Sequence, residues 1–231
     1  MSDVMQSIKF NTIEVPNRFA LAPMTRTSAE PDGTPNALMT DHYEGYAKGG
    51  FGLVITEGTY TDDKASQGYA NQPGIINQEQ IDGWKAIVDR VHAAGSKIVV
   101  QLMHAGAQFQ ANRFTEQPQG PSEVTPKGAP LGFYGDQTEW QTPAAMTKAD
   151  IQAAVDGFAK SAANAKAAGF DGMTGYALLT ASLAGIGWSL AAAIRRQAGA
   201  RAYLAVLCGY TALMFFFPAR FIDAYFYYAA A

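Results

Sequence analysis

Three polar residues stand at the ends of short apolar runs. Thr25 follows residues 19–24 (F-A-L-A-P-M), Glu57 follows 51–56 (F-G-L-V-I-T), and Gln101 lies in 97–102 (K-I-V-V-Q-L). A hydroxyl, a carboxylate and a carboxamide together supply both donors and acceptors. Proteins built of βα units place their sites at the carboxyl ends of the strands. Other chemistry is poorly supplied. No two of His42, His92 and His104 have metal-ligand spacing, so no metal site is expected. The single cysteine, Cys208, excludes an internal disulfide framework and a multi-thiolate site. A net charge of −3 with no basic run argues against nucleic acid as a partner.

The elements that must position those residues alternate between short strands and amphipathic helices. Residues 8–15 read as a short hairpin closed by Pro16 and Asn17. Runs 19–24, 51–56 and 97–102 read as buried strands. Residues 36–48 carry Leu38, Met39, Tyr43 and Tyr46 at weak helical spacing and stop at Gly49-Gly50. Asn77, with Gln80 three residues on, caps a helix whose face is Ile81, Trp84, Val88 and Val91, with Gly95 just past its end. Residues 105–146 are long and rich in Pro, Gly and Gln, as an active-site loop would be. Thr147 and Asp150 cap a helix over 147–169 packed through Ile151, Val155, Phe158 and Ala162, and Phe170-Asp171 opens a fourth strand.

This order implies an α/β protein of parallel βα units, either an open doubly wound sheet or a (β/α)8 barrel. No G-x-G-x-x-G follows the first strand, which counts against a Rossmann site. The polar residues at strand ends favour the barrel.

Four segments carry a family resemblance: N-R-F-A-L-A-P-M-T-R (17–26), G-L-V-I-T-E-G-T (52–59), V-V-Q-L-M-H-A-G (99–106) and F-A-K-S-A-A-N-A-K-A-A-G-F-D-G (158–172). In order and spacing they resemble the old yellow enzyme / NADH:flavin oxidoreductase family. The resemblance implies a TIM barrel with FMN across the strand ends, reduced by NADH or NADPH. The reduced flavin would pass hydride to a small electrophilic alkene such as an enone. It implies that Ala22, Pro23 and Met24 run beside the flavin ring. Thr25 would tune the ring from beside O4 and N5, and the backbone at Gly58 would approach the pyrimidine part. Gln101 would bond the pyrimidine edge. His104, within Q-L-x-H-x-G, reads as a structural hydrogen-bonder at the barrel mouth; His42 and His92 read as partly exposed structural residues.

The chain then departs from the family. After F-D-G the family continues into V-E-I-H-x-A, Asn or His, and G-Y-L. This sequence reads M-T-G-Y-A-L-L over 173–179, so the pair that would hold a substrate oxyanion is absent. Gly175-Tyr176 echoes the family's G-Y only if residues before it are deleted. No catalytic residue is therefore assigned. Strands five to eight have no counterpart, so an incomplete barrel of three to four βα units is expected, without the family's phosphate loops.

Residues 173–231 differ in kind. They hold Arg195, Arg196, Arg201, Arg220 and one acid, Asp223, with no lysine or histidine. Stretches 173–194 and 202–219 are free of charge, each near the roughly 20 residues of a membrane span. Two domains are expected: a partial FMN-dependent barrel over 1–172, and an apolar hairpin of two candidate transmembrane helices over 173–231. The N-terminus lacks a signal-like run, so a cytoplasmic head is expected, with a tail that associates with membrane. Arginines 195, 196 and 201 would lie inside by the positive-inside rule and place the head outside. That conflict points to a fusion, frameshift or assembly junction near Met173. The alternatives to an impaired oxidoreductase are a non-catalytic membrane protein carrying an oxidoreductase remnant, and a flavin module completed by a partner chain.

Overall fold

The computed structural model describes residues 3–10 and 13–177. In chain order the elements are β1 (Ile8–Phe10), β2 (Ile13–Val15), β3 (Ala20–Leu21), α1 (Ala37–Lys48), β4 (Leu53–Tyr60), α2 (Gln78–Ala93), β5 (Lys97–His104), β6 (Gln119–Gly120), β7 (Ala144–Ala145), α3 (Lys148–Ala167) and β8 (Gly172–Ala177). Short 3-10 turns precede β1 and follow β5.

Strands β1 and β2 form the expected antiparallel hairpin. The main sheet has the order β3-β4-β5-β8, with β3, β4 and β5 parallel. Sequential order is half of what separates a barrel from a doubly wound sheet; the other half is the position of the helices. One apolar cluster joins Met39, Tyr43 and Ala47 of α1, Trp84, Ile87, Val88 and Val91 of α2, and Ala165 of α3 to Val54, Ile98, Val100 and Leu102. All three helices thus cover one face, which is barrel-type winding. Residues alternating with that set, Val99, Gln101 and Met103, belong to the opposite face.

The caps read from the sequence are present. Asn77 accepts from the Gln80 amide, Gly95 sits past the end of α2 at φ +87°, and Thr147 forms a full capping box with Asp150. The helix faces are partly corrected. Leu38 is exposed, and α1 buries Met39, Tyr43, Glu44 and Ala47. On α3, Ile151 and Val155 are exposed, while Ser161 and Ala165 are fully buried and Phe158 and Ala162 partly so. The apolar stripe of α3 is rotated off its sheet-facing side. Its N-terminal half overhangs the loops after β4, where Gly157 approaches the Thr61 carbonyl. Spacing reveals a stripe but not the direction of the sheet.

Residues 173–177, the start of the first candidate span, continue β8 instead of opening a helix. The expected division after residue 172 therefore falls inside a strand. The rest of both spans lies outside the described residues. Among the described residues, no helix is long and apolar enough to cross a membrane.

Arg90 on α2 grips Glu44 of α1 through two hydrogen bonds, at 2.9 and 2.7 Å, and Lys48 adds a third contact at 3.0 Å. These hydrogen bonds, Arg90's foremost, lower the Glu44 carboxyl from the ordinary 4.5 to about 2. A lowered folded-state value favours the folded protein above the unfolded value and stops doing so as pH falls through the folded one. The stability advantage over Glu44→Gln is therefore expected to be full at pH 6, to shrink below pH 4.5 and to vanish near pH 2. Urea midpoints of both proteins across that range check it; a pH-independent difference would refute it.

Candidate active site

Glu57 and Gln101, marked in the sequence as the ends of apolar runs, lie mid-strand in β4 and β5, and Thr25 lies in the loop after β3. Strands β4 and β5 pair with Leu53 opposite Lys97 and Ile55 opposite Val99, after which the register slips by one residue so that Gly58 faces Gln101. The extra residue is a bulge at Thr56-Glu57. Two positions 43 apart in sequence, Gly58 and Gln101, thus become cross-strand partners. The Thr56 hydroxyl accepts the Gln101 amide N–H at 3.1 Å and satisfies the backbone that the bulge displaces.

Gly58 leaves room for the Met103 side chain. A Cβ there would lie 2.5 Å from Met103 Sδ, and the Gly58 carbonyl accepts from Gln72 Nε2 at 2.7 Å. Gln72, fully buried, also accepts from the Gly68 amide, so it ties the 68–72 loop to the floor of the site.

Strand β3 pairs through Ala20–Leu53 and Leu21–Val54 only. Beyond it the burial alternates: Ala22 and Met24 are exposed, whereas Leu21 and Pro23 are buried. Pro23 therefore turns its ring away from the side that Ala22 and Met24 present. Thr25 follows, half-buried.

Glu57 is 1% exposed. Its Oε2 accepts the backbone N–H groups of Arg26 at 2.9 Å and Thr27 at 3.0 Å, and its Oε1 accepts from the Tyr43 hydroxyl at 3.2 Å. The same hydroxyl accepts the Glu57 amide N–H at 2.9 Å. Burial raises the Glu57 carboxyl above the ordinary range, against the opposing pull of the two backbone donors. Burial likewise raises the Tyr43 phenol well above its usual value, with the Glu57 charge adding to the effect. Sequence reading marked Glu57 as polar at a strand end but gave it no task. It missed Tyr43 as a polar partner and Gln72 altogether, because these contacts span 14 residues that only folding brings together.

The histidines behave as expected. His104 Nδ1 accepts from the Gly106 amide at 3.1 Å, and Nε2 lies 3.7 Å from Asp62. Burial lowers its pKa against the opposing pull of the Asp62 charge. His92 Nε2 bonds Asp171 at 2.6 Å, and His42 packs edge-on against Tyr43 and Tyr46. No metal-holding group of three acidic, histidine or cysteine side chains occurs among the described residues. A cavity of about 320 Å³ lies by α3, between Asp62, His104 and Gly157. It contains none of Thr25, Gly58 and Gln101, of which Gly58 and Gln101 are buried and Thr25 is half-buried.

Ala22 presents little bulk, and the Thr25 hydroxyl and Gln101 carboxamide form no hydrogen bond with any described residue. Such a carboxamide and hydroxyl can offer both donors and acceptors.

The family model for NADH:flavin oxidoreductase / NADH oxidase matches residues 3–177. The chain belongs to this family. FMN and NAD(P)H are the cofactors of the family. Chanoclavine-I aldehyde reductase of Penicillium roqueforti is 38% identical over 173 residues, which cover 75% of this chain and 45% of that protein. A probable flavin mononucleotide-dependent alkene reductase of Leishmania infantum is 34% identical over 165 residues, covering 69% and 44%. The solved structure of an old yellow enzyme homologue from Zymomonas mobilis superposes with a TM-score of 0.69 at 30% identity, over 75% of this chain and 48% of that one. The chain thus spans somewhat under half the length of these family members.

Proposed function

We propose that residues 3–177 are the ring-binding part of an FMN-dependent NAD(P)H oxidoreductase of the ene-reductase type. The incomplete TIM barrel would comprise the first three to four βα units. The observation that carries this reading is the convergence of Thr25, Gly58 and Gln101, the last two as cross-strand partners, in a chain of this family. FMN would supply the hydride chemistry. Gln101 would bond the pyrimidine edge through its free amide, Thr25 would offer its hydroxyl near O4 and N5, and the Gly58 backbone would allow the ring to approach. Ala22, Pro23 and Met24 would line the first strand beside the ring, Pro23 through its backbone. The substrate class that fits is a small electrophilic alkene. Impairment of this particular chain follows from the missing oxyanion pair. The membrane reading of the apolar tail rests on its charge-free runs, 173–194 and 202–219, as does the proposed division into head and tail.

The test is a flavin-fluorescence titration of a chimera in which a family-like second half replaces residues 178–231. The chimera is expected to bind FMN. Gln101→Ala in the chimera is expected to weaken binding by ~1–3 kcal/mol, the cost of leaving a buried polar edge unpaired. No binding by the chimera, or equal binding by both, would overturn the assignment of these residues.

A further inference from the structure

The reading above leaves Glu57 without a role, although its buried carboxylate accepts three hydrogen bonds behind the site. A side chain chosen only to fill that space would be apolar, because a buried carboxylate must be compensated at every lone pair. Here the compensation is directional. Oε2 receives two consecutive backbone N–H groups, from Arg26 and Thr27. Consecutive amides that converge on one oxygen form an anion-binding nest. Thr27 has φ +52°, a left-handed conformation that is unfavourable for a β-branched residue. The conformation persists where the surroundings over-determine it.

The position of this nest matters. The registered pairing of β3 with β4 ends at Leu21–Val54, and the chain next makes backbone hydrogen bonds to a side chain at Arg26 and Thr27. Thr25 lies immediately before them. On the other side, Glu57 immediately precedes Gly58, whose partner is Gln101. One carboxylate thus ties the loop bearing Thr25 to the strand bearing Gly58. Tyr43 of α1 closes the arrangement from the helix layer, donating to Oε1 and accepting the Glu57 amide.

We propose that Glu57 is a positioning residue: its Oε2, seated in the Arg26-Thr27 nest at the Thr56-Glu57 bulge, sets the Thr25 hydroxyl beside the Gly58–Gln101 pair. This rests on the flavin reading for what the three residues would face. The geometry that it assigns is testable on the chain without flavin.

Amide hydrogen exchange of the 231-residue chain, resolved by NMR, tests it. The Arg26 and Thr27 amides are expected to be protected in the wild type. Glu57→Met keeps the volume and removes both acceptors; these two amides are then expected to exchange at least about 10-fold faster. Val99 and Val100 in β5 are expected to stay unchanged. Glu57→Gln retains a carbonyl that can enter the nest and is expected to restore most of the protection. Tyr43→Phe, which leaves Oε2 untouched, is expected to preserve it. If Glu57→Met does not fold, Glu57→Gln decides. Its neutral acceptor is expected to speed Arg26 and Thr27 a few-fold with β5 unchanged. Protection at Arg26 and Thr27 that survives Glu57→Met would overturn the proposal, as would exchange in Glu57→Gln equal to the wild type where Glu57→Met does not fold. So would a rise spread evenly over the strands, which marks a general loss of stability. Failure of the chimera to bind FMN would instead remove the flavin reading and leave this exchange result standing.

Discussion

Cyclohexenone reduction by the 231-residue chain, supplied with FMN and NADPH, is expected to run no faster than a free-FMN control. Enone reduction builds negative charge on the carbonyl oxygen as hydride reaches the β-carbon. That charge must meet donors already in place, because preorganised donors stabilise it without reorganisation at the moment of reaction. The family resemblance supplies those donors from a His and an Asn or His after F-D-G. This chain reads Met173, Thr174, Gly175, Tyr176 and Ala177 there, and no histidine occurs beyond His104. The backbone continues through the position as strand β8, so what is missing is the side chains and not the strand. Loss of one such donor typically costs roughly 10²–10³ in rate, and both are absent. Steady NADPH oxidation coupled to enone loss, above the flavin control and abolished by Gln101→Ala, would overturn this expectation.

The second large effect concerns the core behind the site. Trp84→Ala is expected to cost ~3–5 kcal/mol of stability, the usual range for truncating a buried aromatic residue. Trp84 is fully buried, lies 6.1 Å from the Tyr43 ring and 5.5 Å from the Phe170 ring, and donates from Nε1 to the Gly74 carbonyl at 2.9 Å. Removing it empties the junction of α1, α2 and the last strand and leaves the Gly74 carbonyl without its donor. Tyr43 is also the partner of Glu57, so the cavity opens directly behind the nest. A typical domain has only ~5–15 kcal/mol to lose, and the variant is expected to unfold at a much lower urea concentration. Trp84→Phe, which retains a ring and loses the N–H, is expected to fall between. A midpoint for Trp84→Ala close to that of the wild type would show that this cluster does not hold the sheet to its helices.

The sequence by itself determined what local chemistry decides. Asn77 and Thr147 start helices because their side chains satisfy amides three residues on, and that geometry needs no distant partner. The 8–15 hairpin and the strands around Val54 and Val99 follow from apolar runs between turn residues. Thr25, Glu57 and Gln101 stood out as polar residues where apolar runs stop, and the motifs around them named the family that the comparisons then showed. Tertiary structure decided the rest, and for a common reason: the missing information lay in contacts between distant residues. Periodicity gave α3 an apolar stripe, yet the sheet lies to one side of it, so Ile151 and Val155 are exposed and Ser161 is buried. The choice between an open sheet and a barrel depended on all three helices packing against one face, which no single helix encodes. The one-residue slip at Thr56-Glu57, which puts Gly58 opposite Gln101, arises from pairing two strands and leaves no mark in either alone. Glu57 appeared in the sequence as a polar strand end; it became the anchor of the Thr25 loop only when folding brought Arg26, Thr27 and Tyr43 around a carboxylate that burial left no water to satisfy.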